Sequence, residues 1–180
     1  TGRLLDKVRA TPDARIISTS SIAHKRGKIH FDDINAENGY NPIVRYAQSK
    51  IANLYFTRVL AEKLQEKGAD TMVTAAHPGW TATDLKRHAS GANFMNRFFA
   101  QGIGMGALPT LYGAVAEDAK SGYFFGPDGF MEMKGYPKRS IPSKRAQHRE
   151  TAEKLWEISE DLTGEKFKVK IYIGNMYYLK

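Results

Sequence analysis

A long amphipathic pattern lies between two short β-type runs, and that order admits few architectures. Residues 44–67 place Ala52, Tyr55, Phe56, Val59, Leu60 and Leu64 at the i, i+3, i+4, i+7, i+8 and i+12 positions of one helical face. Glu62, Lys63, Glu66 and Lys67 populate the outer face near the end, and Gly68 is a natural stop. Before it, Arg15-Ile16-Ile17-Ser18-Thr19 reads as a short strand. After it, Thr71-Met72-Val73-Thr74-Ala75-Ala76 reads as a buried strand that His77-Pro78-Gly79 ends abruptly. The rest of the chain continues the alternation. Residues 1–10 look like the end of a helix broken by Thr11-Pro12-Asp13. Residues 107–117 predict a helix with Pro109 near its start, and Tyr123-Phe124-Phe125 a third strand before the turn signal Gly126-Pro127-Asp128-Gly129. Residues 144–162 predict a last helix on Ala152, Leu155, Trp156, Ser159 and Leu162, with Ser143 as N-cap and Gly164 as stop. Helix and strand in strict alternation imply an α/β fold with a parallel sheet. Ligands of such sheets sit outside the carboxyl ends of the strands, which puts Ser20-Ser21 and His77-Pro78-Gly79 on one functional edge.

Composition excludes several other classes. The chain has 180 residues, 42% hydrophobic and 26% charged, enough for one domain with a real core. No cysteine is present, which removes disulfides, cysteine-rich metal sites and a cysteine nucleophile. The net charge of +8 is interleaved with acids, and the last fifteen residues carry four lysines and no acid. That scatter argues against a nucleic-acid partner, which needs a basic stripe or helix face. The five histidines lack metal-ligand spacing, so no metal is expected. Residues 98–116 are uncharged and long enough for a membrane span, but Gln101, Pro109, Thr110 and four glycines favour a buried helix entered through a loop. No transmembrane span and no leader sequence are therefore expected in this chain.

Tyr46 and Lys50 stand one turn apart on the best helix, so their side chains point the same way. A phenol titrates at about 10 when unperturbed, and a nearby cation favours the phenolate. The pair has the makings of a tuned general acid/base, with the ammonium also able to hold sugar hydroxyls. Spacing alone is weak, since about one Tyr-x-x-x-Lys is expected by chance in such a composition. Its company gives it weight. Ser21 ends one strand with a hydroxyl able to donate to a substrate oxygen, and Pro78-Gly79 ends the next, where a bare backbone lets a flat ligand approach.

These segments carry a resemblance. Arg15 to His24, Tyr46-Ala47-Gln48-Ser49-Lys50, and His77-Pro78-Gly79-Trp80-Thr81-Ala82-Thr83-Asp84-Leu85 resemble the short-chain dehydrogenase/reductase family, and most of all its retinol-dehydrogenase-like branch. Leu155-Trp156 and Leu162-Thr163-Gly164 match that branch's ending. The resemblance covers residues 1–167 and leaves 168–180 as a basic, apolar tail without counterpart. It implies the carboxyl-terminal part of a doubly wound, Rossmann-type parallel sheet lacking its first strands. It implies reversible hydride transfer between NADP or NAD, NADP favoured, and an alcohol or carbonyl of apolar or retinoid-like character. Catalytic roles would fall to Ser21, which polarises the carbonyl, Tyr46, which moves the proton, and Lys50, which binds the nicotinamide ribose and favours the phenolate. Tyr46, Lys50, Pro78, Gly79, Thr81 and Thr83 would bind cofactor. Trp80 and the stretch from Phe94 to Phe99 read as a substrate lid, with plain core as the alternative. Partners reduce to a small-molecule substrate, with homo-oligomerisation left open; the location is cytoplasmic, with membrane association of the intact protein also open.

Departures from the family pattern shape the expectation too. No glycine-rich strand-turn-helix opens the chain, and neither the Asn-Ala-Gly strand motif nor the catalytic asparagine is present. Gly102-Ile103-Gly104-Met105-Gly106-Ala107 matches G-x-G-x-x-A, but no strand precedes it, so it reads as helix-entry flexibility. The expectation is an amino-terminally shortened enzyme. The alternatives are a catalytically incompetent fragment and a non-enzymatic binding or scaffold member of the same fold.

Overall fold

The structure is a computed structural model and describes residues 1–81 and 101–167, with the backbone of residues 171–173 and 176–178. After a short helix α1 (Leu5–Arg9), strand β1 (Arg15–Thr19) pairs in parallel with β2 (Met72–Ala76), Arg15 opposite Met72 and Thr19 opposite Ala76. Helix α2 (Pro42–Glu66) makes the crossover. Its start is written locally: the Asn41 side chain accepts from the Ile43 and Val44 N–H groups at 3.1 Å each, and Pro42 occupies a first-turn position whose N–H would have no helical partner. Helix α3 (Ile103–Val115) leads to β3 (Phe124–Pro127), parallel to β2. Strand β4 (Pro137–Ser140) returns antiparallel to β3, and the sheet order is β1-β2-β3-β4. Helix α4 (Arg149–Thr163) closes the core, and Ile171–Ile173 and Met176–Tyr178 form a separate antiparallel pair, β5 and β6.

Strand alternation sorts the core onto both faces of the sheet. Val73, Ala75 and Phe124 face the side covered by α2 and α4, with Ile51, Leu54, Tyr55, Val59, Leu60 and Leu155. Ala76 and Phe125 face the other side with Tyr112 of α3. The sheet is thus wound on both faces, as the alternation of elements implies. Leu5 of α1 caps the lower core against Leu60 and Leu64.

Several local expectations shift. Helix α2 buries more than one face: Ile51, Leu54 and Ala61 are buried, while Ala52 and Phe56 are only half-buried. The cause is its position, pressed by the sheet on one side and α4 on another. Helix α3 starts four residues ahead of expectation, so Pro109 lies in its interior. At 13 residues it is about 20 Å long, and no helix among the described residues is long and apolar enough to cross a membrane. Gly126-Pro127 belongs to β3, and the turn comes after it; β4, which is largely polar, had no sequence signal. Helix α4 begins at Arg149, because residues Arg145–Gln147 form a 3₁₀ turn; its N-cap is His148 rather than Ser143, whose Oγ accepts the Ala146 N–H at 3.4 Å. Gly164, at φ 68°, is the left-handed stop expected of it. The apolar stripe of α4 runs out before Leu162, which is exposed. Trp156 is half-buried, stacked on Phe56 at 5.7 Å and edge-on to Phe167 at 5.0 Å.

Candidate active site

Strands β1 and β2 finish side by side. The Ser20 N–H donates to the Ala76 carbonyl at 2.7 Å and the His77 N–H to the Phe125 carbonyl at 2.9 Å, so the ends of β1, β2 and β3 form one rim. Two side chains dock this rim onto α2. The buried Ser20 hydroxyl donates to the Lys50 carbonyl at 2.8 Å, and the Asn53 amide donates to the Thr19 carbonyl at 2.7 Å. Ser21 follows as the N-cap of the 3₁₀ turn Ile22–Arg26. Its Oγ accepts from the Ala23 N–H at 3.2 Å, which leaves the hydroxyl hydrogen to donate elsewhere. On the adjoining turns of α2 the Lys50 Nζ lies 5.4 Å from the centre of the Tyr46 ring, and Tyr46 is 37% exposed. Sequence spacing therefore placed Tyr46 and Lys50 together, and the Ser20–Lys50 bond brings the Ser21 turn to the same stretch of helix.

The second strand end is a built loop. The Pro78 carbonyl accepts from the Thr81 hydroxyl and from the Gln101 amide, each at 2.8 Å. Gln101 is buried, pairs with Thr81 as an isolated bridge, and accepts the Gly135 N–H at 3.0 Å. Gly79 holds φ at 65°, and a Cβ there would lie 2.4 Å from the Met133 carbonyl, which already accepts the Trp80 N–H at 2.6 Å. Gly106 of the G-x-G-x-x-A segment lets α3 come against Thr81, whose Oγ1 would be 2.3 Å from an added Cβ. That segment thus serves close packing of the helix start. Thr83, and the stretch from Phe94 to Phe99 read as a lid, lie outside the described residues; Trp80 is half-buried.

Behind the rim sits a polar cluster that motif reading missed. His24 is fully buried; its Nδ1–H donates to the Ser21 carbonyl at 2.7 Å and its Nε2 accepts from the Ser143 N–H at 3.2 Å. Burial holds this imidazole below its ordinary range. His77, also fully buried, accepts from the Gly79 N–H at Nδ1 at 3.3 Å, and its Nε2 lies 3.8 Å from a Glu132 carboxylate oxygen. Burial pushes His77 down to about 4. The Phe124 ring lies between the two imidazoles, with centroids 5.4 Å and 5.1 Å away. Glu132 also pairs with Lys25 Nζ at 2.8 Å. Burial alone would raise the Glu132 carboxyl, but the Lys25 ammonium beside it, with help from Ser140 and His77, holds it below the usual carboxylate range. Among the described residues no group of three or more histidine, aspartate or glutamate side chains is placed to hold a metal ion. Glu132 and Gln101 had no signal in the sequence, because each meets its partners only through the crossovers of the sheet.

A doubly wound parallel sheet that collects polar groups where its strands finish is the arrangement of α/β proteins that seat ligands on that rim. Comparison with known proteins narrows the class. Human (Homo sapiens) retinol dehydrogenase 12 is 36% identical over 170 residues, 92% of this chain and 50% of that protein. Human retinol dehydrogenase 13 is 37% identical over 176 residues, 91% of this chain and 50% of its own length. Retinol dehydrogenase 14 of Mus musculus is 34% identical over 91% of the chain and 48% of that protein. The chain is thus similar over about nine-tenths of its own length to retinol dehydrogenases. It spans about half the length of the curated relatives it matches. It is also similar to the crystal structure of an uncharacterized protein from Mycobacterium Paratuberculosis, with a TM-score of 0.69, 35% sequence identity, and coverage of 86% of this chain and 52% of that one. No protein-family model matches the chain.

Proposed function

We propose that this chain carries the proton-handling and substrate-positioning side of a nicotinamide-dependent oxidoreductase. The reaction is the reversible oxidation of an alcohol to its carbonyl, and the relatives' names favour an apolar, retinoid-like substrate. NADP is favoured over NAD on the branch resemblance. The observation that carries this reading is the docking of the Ser20-Ser21 strand end onto the backbone of Lys50, one turn beyond Tyr46.

The donor set fits such a cofactor: an ammonium suited to ribose hydroxyls, a phenol beside it, and a loop at the next strand end whose Gly79 is held at a left-handed φ against the Met133 carbonyl. Nicotinamide, when bound, supplies the hydride acceptor or donor. The rest falls to the chain. In the oxidative direction Tyr46 Oη takes the hydroxyl proton of the alcohol while the carbinol carbon loses its hydride; in reduction it returns that proton. The Ser21 hydroxyl donates to the substrate oxygen, a role its cap geometry leaves open because Oγ accepts from Ala23. Lys50 holds the ribose hydroxyls with its ammonium group. Pro78 and Gly79 line the cofactor with backbone. Thr81 does so through backbone alone, since its hydroxyl is committed to the Pro78 carbonyl. Thr83 is proposed alongside them.

Replacing Tyr46 by Phe in the full-length protein tests the reading. Turnover of an alcohol with NADP should fall by about 10²–10⁴-fold, the usual contribution of a positioned acid/base, with an unchanged circular dichroism spectrum. Unaltered turnover would remove Tyr46 from the proton path. Failure of the unaltered full-length protein to bind NADPH would favour the non-enzymatic alternative.

A further inference from the structure

We propose that Glu132 is a positioning residue: its carboxylate straps the turn that carries Ser21 to the loop that carries Pro78 and Gly79. It thereby sets the spacing between the substrate side and the cofactor side of the site. The catalytic meaning of that spacing rests on the function proposed above; the strap itself does not.

Four observations converge on it. Glu132 Oε2 lies 2.8 Å from Lys25 Nζ, and Lys25 belongs to the short turn whose N-cap is Ser21. The same oxygen lies 3.8 Å from Nε2 of His77, the residue before Pro78. The next carbonyl along the chain, that of Met133, accepts the Trp80 N–H and fills the space a Cβ would need at Gly79. Finally, Met131 and Glu132 hold φ at 52° and 57°, a left-handed conformation rare for residues other than glycine and kept only where the surroundings enforce it. One loop therefore touches both strand ends at once, by side chain toward Lys25 and by backbone toward Gly79 and Trp80. The ionisable groups around the carboxylate are Lys25 and, more distantly, His24 from the Ser21 turn and His77 from the end of β2, with the Ser140 hydroxyl of β4 alongside.

Two amide hydrogens report the two ends: Ala23 N–H on Ser21 Oγ, and Trp80 N–H on the Met133 carbonyl. In Glu132→Gln, hydrogen exchange at both should quicken by about tenfold or more, while exchange at core amides of α2 stays as it was. Lys25→Met should do the same, and it carries the test should Glu132→Gln fail to fold; Glu132→Asp should restore part of the protection. In the full-length protein, kcat of Glu132→Gln should fall by about tenfold or more with cofactor KM changed by less than about threefold, the pattern of lost alignment rather than lost contact. Unchanged exchange at Ala23 and Trp80, or an increase spread evenly through the core, overturns the strap. Faster exchange confined to Ala23 and Trp80 in Glu132→Gln, with no turnover in the unaltered full-length protein, would instead overturn the proposed function and leave the strap standing.

Discussion

Gly79 and Ser20 illustrate how much of the site depends on single atoms. Gly79 is required twice, by its left-handed φ and by the Met133 carbonyl at 2.4 Å from any added Cβ. Gly79→Ala should destabilise the chain by about 1–3 kcal/mol, from backbone strain and a displaced loop, read as a lower urea midpoint. An unchanged midpoint would mean that the Met133 loop moves aside freely. Ser20 and Ser21 look alike in the sequence, both hydroxyls at a strand end. The fold separates them: Ser20 is buried and spent on the Lys50 carbonyl, while Ser21 faces the rim with its hydrogen unspent. Ser20→Ala should therefore cost about 1–3 kcal/mol of stability, because the Lys50 carbonyl loses its side-chain donor. Ser21→Ala should leave the urea midpoint within about 1 kcal/mol and act on turnover. Motif reading singled out Ser21; the two differ because Ser20, just past β1, is pressed against α2, whereas Ser21 opens the following 3₁₀ turn as its N-cap.

At the scale of elements, α2 organises the molecule. Asn41 closes its first turn and Tyr55 ties its middle to the segment before α4 through a hydroxyl bond to the Arg145 carbonyl at 2.7 Å. Asn41→Ala should cost about 1 kcal/mol, the usual worth of an N-cap, with helix content at low urea unchanged. Calorimetry or urea titration showing no loss would mean that Pro42 alone starts the helix. The strands β1 and β2 and helix α2 were legible because their apolar periods are long and bounded by clear stops. Strand β4 was not legible, because Pro137-Lys138-Arg139-Ser140 has no apolar alternation; it becomes a strand by offering its backbone to the edge of β3. The start of α4 moved for a related reason: Arg145 gives its guanidinium to the Gly27 carbonyl at 2.8 Å and its own carbonyl to Tyr55, which holds residues 145–147 as a separate turn.

Across the whole molecule, stability should depend on pH through the buried histidine behind the rim. Unfolded histidine titrates near 6.5, whereas His77 in the fold titrates at about 4 because it is buried. Between those values the unfolded chain binds the extra proton, so stability present at neutral pH falls as pH drops from about 6.5 toward about 4. The loss at the acid end is about 3 kcal/mol. His24, lowered by the same cause, adds to it, and Glu132, held below its ordinary range, adds a loss on the acid side when it too is protonated. Urea midpoints should therefore decline through this window, and His77→Gln should flatten part of the decline. A midpoint constant from pH 6.5 to about 4 would show that these groups are not titrated by unfolding.

The amino-acid sequence by itself determined the alternation of strands and helices, the Tyr46–Lys50 pairing one turn apart, and the two strand ends that carry Ser21 and Pro78-Gly79. These are local properties, set by periodicity, capping and stop residues within a few positions of one another. Only the tertiary structure decided that Ser20 would anchor that edge to Lys50, that Gln101 would hold the Pro78 loop, and that Glu132 would meet Lys25 and His77. Those contacts join residues brought together by crossovers and by an antiparallel return, so they exist only after the sheet has paired, and no spacing along the chain encodes them.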